Sequence, residues 1–101
     1  MGITIPDGVT QIGYAAFRFC SSLSSITIPD GVTQIGDYTF EGCTELETAD
    51  CKAVEPPLLG VDVFMDCEAL ATINVPTASV DAYKAADGWR EYESLIQGKD
   101  F

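Results

Sequence analysis

The residues with the widest chemical reach in this sequence are four cysteines, Cys20, Cys43, Cys51 and Cys67, and no histidine accompanies them. A cysteine nucleophile needs a neighbouring base to form its thiolate, and a chain without imidazole lacks the usual one. Structural zinc sites draw on closely spaced ligand pairs, whereas these cysteines are 23, 8 and 16 residues apart with no C-x-x-C pair. There is no G-x-S-x-G for a serine nucleophile and no D-x-[DN]-x-[DN]-G run for a calcium loop. The carboxylate pairs Glu45 and Glu47, and Glu91 and Glu93, read as solvated surface charge. No catalytic residue, metal ligand or cofactor site is therefore expected, and the protein is read as a non-enzyme.

The totals narrow the class further. A chain of 101 residues makes one domain, and one whose core must be efficient or be extended by neighbours. With 47% apolar and 21% charged residues it should fold. Sixteen acidic residues against five basic ones give a net charge of -11, which repels phosphate backbones and anionic lipid surfaces. Nucleic acid is thus a poor partner, and the acidic excess reads first as solubility. The apolar stretches run to only a few residues, too short for membrane insertion. Met1 to Asp7 has neither the basic start nor the apolar core of a signal peptide.

What positions these residues is a repeat. Ile3 to Gly13 reads ITIPDGVTQIG, and Ile26 to Gly36 repeats all eleven letters at an offset of 23. Phe17, Cys20 and Leu23 recur as Phe40, Cys43 and Leu46 at that offset, and again as Phe64, Cys67 and Leu70 at 24. The extra residue is expected near Pro56-Pro57, where the chain must turn. Three equivalent cysteines then form a ladder of small buried hydrophobes whose identical orientations do not suit a disulfide. Cys51, standing where Ile28 and Val75 stand, belongs to the core as well.

Each unit reads as one coil of a leucine-rich-repeat solenoid. Leu23, Ile26 and Ile28 alternate inward with Ser25 and Thr27 outward, the pattern of a short strand. Pro29-Asp30-Gly31 ends it. Val32 and Ile35 return to the core, and Phe40 and Cys43 suit one 3₁₀ or α turn. Stacked coils bring equivalent residues roughly 5 Å apart in parallel strands. Four strands are expected, around Ile3 to Ile5, Ser25 to Ile28, Thr48 to Cys51 and Thr72 to Val75. Their outward residues Thr4, Ser25, Thr27, Thr48, Asp50, Thr72 and Asn74 form the candidate binding face.

After Val75-Pro76 the alternation stops. Thr77 to Ala86 reads as a helix, with Thr77 or Ser79 available to cap it and Asp81 near its positive end. Trp89 to Ile96 reads as a second short helix, presenting Trp89, Tyr92 and Ile96 on one face. With Tyr83 these aromatics are expected to cover the last coil. The organisation is then about three repeats over 1–76 (3–25, 26–48 and 49–72, with a final strand at 73–75), a helical cap over 77–97 and a frayed tail over 98–101. Nothing equivalent precedes Ile3, so the first coil offers an open edge that invites pairing with upstream coils or self-association, or else its first few residues fray.

The pattern L-x-x-I-x-I-P-x-x-V-x-x-I-G-x-x-x-F-x-x-C, carried by Leu23, Ile26, Ile28, Pro29, Val32, Ile35, Gly36, Phe40 and Cys43, resembles the BspA-like leucine-rich repeats of bacterial surface proteins. The stretch from Pro56-Pro57-Leu58-Leu59-Gly60 through Phe64 and Cys67 to Tyr83, Trp89 and Tyr92 resembles their closing segment. The resemblance implies a secreted or surface-displayed protein that binds or adheres to an extracellular protein or glycan, and it brings no catalytic residue. Termination of a longer solenoid, with no ligand of its own, is the alternative role.

Overall fold

A computed structural model describes residues 2–101. The repeat becomes three-walled coils. One wall is a five-stranded parallel sheet in the order β1 (Gly2–Thr4), β3 (Ser25–Ile28), β5 (Thr48–Cys51), β7 (Thr72–Pro76) and β8 (Ile96–Lys99). A second is a narrow parallel sheet of β2 (Gln11–Ile12), β4 (Gln34–Ile35) and β6 (Leu58–Leu59). The third is the turn segment that carries Phe17, Phe40 and Phe64.

The register follows the sequence period. Ile3 pairs with Ile26, Ile26 with Ala49, Ala49 with Ile73 and Ile73 with Ile96. The offset is 23 at Ile28 and Cys51 but 24 at Gln34 and Leu58, which confines the inserted residue to Lys52 through Pro57, as Pro56-Pro57 suggests. Inward columns fill the centre: Leu23, Leu46, Ile26, Ala49, Ile73, Ile28, Cys51 and Val75 are all buried, and Val32 and Ile35 meet them from the second sheet. Full burial of one such aliphatic side chain stabilises by about 1.5–3 kcal/mol. The three equivalent phenylalanines form a ladder of rings: Phe17, Phe40 and Phe64 stack with centroids 5.5 Å apart and planes 7° from parallel at each step.

The third wall differs from the expected helical turn. Ala15, Tyr38 and Asp62 are equivalent and all have positive φ (53°, 58° and 51°), as do Phe19, Gly42 and Asp66 four residues later (61°, 73° and 60°). These left-handed residues interrupt any helix at Phe40 and Cys43. They also aim alternate peptide groups along the solenoid axis. The N–H groups of Ala15, Phe17 and Phe19 donate to the carbonyls of Asp37, Thr39 and Glu41 at 2.7–2.9 Å. Those of Tyr38, Phe40 and Gly42 donate to Val61, Val63 and Met65 at 2.8–3.0 Å. Bonds between coils satisfy the backbone better than one isolated helical turn would.

The cap also departs from expectation. It consists of a 3₁₀ turn at Thr77–Ser79, helix α1 at Val80–Ala85 and a 3₁₀ segment at Trp89–Leu95 broken at Tyr92. Neither Thr77 nor Ser79 caps α1. The Ser79 hydroxyl donates to the Val54 carbonyl at 2.7 Å, and Thr77 bonds Asp100 at 3.0 Å. The second helix stops at Leu95 because Ile96 enters the core column below Ile73. Residues 98 and 99, read as tail, therefore lie in a fifth strand, where Gly98 pairs with Val75 and Lys99 with Pro76. Trp89 and Tyr83 are fully buried with rings crossed at 79°, and the Trp89 indole N–H donates to the Pro57 carbonyl at 2.8 Å. The cap seals the core while the outer edge of β8 stays open.

Candidate functional site

The seven residues read as a binding face fall into two adjacent columns of the main sheet. Ser25, Thr48 and Thr72 make one, headed by Gly2, and Thr4, Thr27, Asp50 and Asn74 make the other. Strand pleating sends both columns outward because their neighbours Ile26, Ala49 and Ile73, and Ile28, Cys51 and Val75, are drawn into the core. Ser25 and Thr4 are exposed, while the other five are partly buried by their neighbours along the column.

One end of this face is internally braced. The Asn74 amide donates to one Asp50 carboxylate oxygen at 2.8 Å, and the Lys99 ammonium contacts the other at 3.0 Å. Asp50 is consequently held in one orientation with its charge matched. Gln97, paired with Asn74, extends the second column by one rung. Sequence reading missed Gln97 and Lys99 because Ile96–Lys99 was divided between helix and tail. The available signal was the spacing from Ile73 to Ile96, one more 23-residue step. This surface offers hydroxyl and amide groups that both donate and accept, beside a neutralised carboxylate, an arrangement suited to recognising polar groups.

All four cysteines are free thiols, but the expected buried ladder is incomplete: Cys43 and Cys51 are buried, while Cys20 and Cys67 are only partly so. Cys43 donates to the Phe17 carbonyl at 3.2 Å and Cys67 to the Phe40 carbonyl at 3.0 Å, so each thiol points to the preceding coil. Burial raises the pKa of Cys43 and Cys51 and pushes that of Cys67 up to about 12, the last helped by its neighbour Cys43. Elevated thiol pKa values oppose nucleophilic chemistry at neutral pH. Cys51 lies 3.3 Å from the Tyr83 hydroxyl, which itself donates to the Ala53 carbonyl, and burial raises the pKa of that phenol also. Among the described residues no cluster of three Cys, Asp or Glu side chains is arranged to hold a metal ion, and no helix is long and apolar enough to cross a membrane.

The family described as BspA type leucine rich repeat region (6 copies) matches residues 1–86, from the first strand through α1. No curated protein matches the chain.

Proposed function

The chain belongs to the BspA-type leucine-rich-repeat family, and on that basis we propose that it is a binding or adhesion module of a secreted or surface-displayed bacterial protein. Repeats of this family are non-enzymatic in general, and their members are generally surface-associated. The module takes an extracellular protein or glycan on the exposed face of its stacked strands. The observation that carries this reading is the register alignment of Ser25, Thr48 and Thr72 beside Thr4, Thr27, Asp50 and Asn74, with Asp50 fixed by Asn74 and Lys99. Such a surface needs little ordering when a ligand arrives, which reduces the entropic cost of binding.

The test is an array of oligosaccharides and extracellular matrix proteins, probed with the wild-type chain and with a T27R/T72R variant. The two threonines are outward and partly exposed, so the variant should fold. Hits that vanish with the variant support the strand face. Hits that survive unchanged exclude it.

The full burial of Trp89 and Tyr83 favours a second reading, in which this segment terminates a solenoid and has no ligand of its own. Removing the chain from Trp89 onward should then lower the melting temperature, with no binding of any array member by the intact chain.

A further inference from the structure

Of the large exposed apolar side chains, Val54, Leu58 and Phe101 lie outside the turn wall and four belong to it. Tyr14 (65% exposed), Phe19 (64%), Val61 (57%) and Met65 (44%) all project from the turn wall. Single exposed apolar residues are ordinary on a soluble protein. These are continuous. Tyr14 meets Tyr38 edge-on at 5.9 Å, and the Arg18 guanidinium lies 5.5 Å from the Tyr38 ring and 4.8 Å from the Phe19 ring. The Phe19 ring in turn rests on Gly42, where an added Cβ would overlap it. Val61 and Met65 adjoin through the bonds from Tyr38 and Gly42 to their carbonyls. Tyr, Phe, Arg and Met are residues that protein interfaces concentrate.

The charge of this wall is one-sided. Its turn segments, 13–20, 36–43 and 60–67, contain Asp37, Glu41, Asp62 and Asp66 but only one cation, Arg18, which pairs with Glu41. Asp62 and Asp66 are exposed, and Asp62 and Glu91 lie close enough to Tyr92 to help burial raise its pKa. The left-handed backbone does not demand aspartate there, because Ala15 and Tyr38 occupy the place of Asp62, and Phe19 and Gly42 that of Asp66. Carboxylates at these positions are free to serve a partner.

We propose that the turn wall is an interaction surface separate from the strand face, and that its partner is an extended, cationic segment of another protein. The aliphatic stems of its lysines or arginines lie on Tyr14, Tyr38 and Phe19, and their charged heads meet Asp62, Asp66 and Glu91. The first and third coils are two rises of about 4.8 Å apart, which an extended segment spans in roughly three residues. The exposed rings offer apolar contact to lysine or arginine stems and the carboxylates attract their charged heads, so the two halves of the wall select the same partner.

The probe is a fluorescent synthetic peptide, KVKSKVKSKVKS, titrated by anisotropy at low and moderate salt against the full chain, with amide chemical-shift mapping. Y14S/F19S keeps the charge and changes only exposed rings, and should weaken binding about tenfold, the effect of losing interface aromatics. D62N/D66N should weaken it similarly, whereas T27R/T72R on the strand face should retain the mapped site around Tyr14, Tyr38, Met65 and Asp66. Each variant is first checked for an unchanged melting curve. Binding that responds to D62N/D66N but not to Y14S/F19S would reduce the effect to general charge attraction and overturn the proposal. Maltohexaose shifting the same amides while the peptide shifts none would also overturn it, in favour of a glycan. Either result leaves the strand-face test untouched.

Discussion

Two alanine substitutions within identical sequence would measure how tightly the coils stack. Gly13 and Gly36 end the same eleven-residue block, and neither has a positive φ. A Cβ built on Gly13 meets nothing within 4 Å. On Gly36 it would lie 2.7 Å from the Tyr14 nitrogen, 2.8 Å from the Gly13 carbonyl carbon and 3.0 Å from the Tyr14 Cα, all backbone of the preceding coil. Replacing glycine by alanine restricts the unfolded chain and stabilises by about 0.4–1 kcal/mol where the native backbone accepts it. That gain is common to both sites and cancels in the comparison. What remains is overlap at Gly36, which backbone atoms cannot relieve by changing rotamer, at about 1–3 kcal/mol or more. In a domain whose total stability is about 5–15 kcal/mol, the difference is easily measured. Urea unfolding of G13A and G36A should give equal slopes, with the G13A midpoint at or above wild type and the G36A midpoint clearly below. Equal midpoints would mean that the second-sheet wall is looser than these distances imply.

The aromatic ladder should behave likewise along its length. F40A removes a buried ring with two ring neighbours and should cost about 3–5 kcal/mol, whereas F17A removes a partly exposed ring with one neighbour and should cost about half as much; equal losses in urea would contradict the stacking. Y83F leaves the Ala53 carbonyl and the Cys51 thiol without their hydroxyl partner, a change expected to cost about 1–3 kcal/mol in thermal unfolding, and a neutral result would show that this buried bond contributes nothing net. Native Cys43 and Cys51 should resist alkylation at pH 8 that the unfolded chain undergoes readily, followed by mass spectrometry. The raised pKa values of Cys43, Cys51 and Cys67 also fix a direction. Above about pH 8.5 the unfolded thiols lose protons that the folded ones keep, so stability is flat below that point and falls as pH rises toward about 12. A urea midpoint that stays constant from pH 7 to 10.5 would exclude this linkage.

The main sheet was legible because its signal is written twice. The alternation of Ile26 and Ile28 with Ser25 and Thr27 marks a strand, and the repeat offset marks its partner, so register followed without any contact being known. The candidate face inherits that legibility. The turn wall was not readable because its left-handed positions are held by Ala15, Tyr38, Asp62, Phe19 and Asp66, with a glycine only at 42. Turn chemistry is inferred from glycine, asparagine and aspartate, so Ala15, Phe19 and Tyr38 give no signal, and there hydrogen bonds between coils override local preference. The last strand was hidden for a different reason. Trp89 to Ile96 has helical spacing, but only the burial of Ile96 under Ile73 decides where the helix must stop.

The axial peptide groups bear on self-association through the open first coil. The N–H groups of Ala15, Phe17 and Phe19 point to the second coil, so in trans peptides the carbonyls of Tyr14, Ala16 and Arg18 face the other way. Among the described residues no backbone N–H reaches those three carbonyls. A two-fold dimer joins like surfaces, and on this wall it would set carbonyls against carbonyls. Only the outer edges of β1, three residues, and β2, two residues, could pair with their symmetry mates, far less than a stable interface needs. A coil running in the same direction as the others would instead present N–H groups to the carbonyls and cover the partly exposed Phe17. The polarity therefore opposes a two-fold dimer through this wall. Sedimentation velocity should find a monomer at micromolar concentration, and adding one more copy of residues 3–25 upstream in tandem should raise the urea midpoint. A stable two-fold dimer held through the first coil would refute the argument.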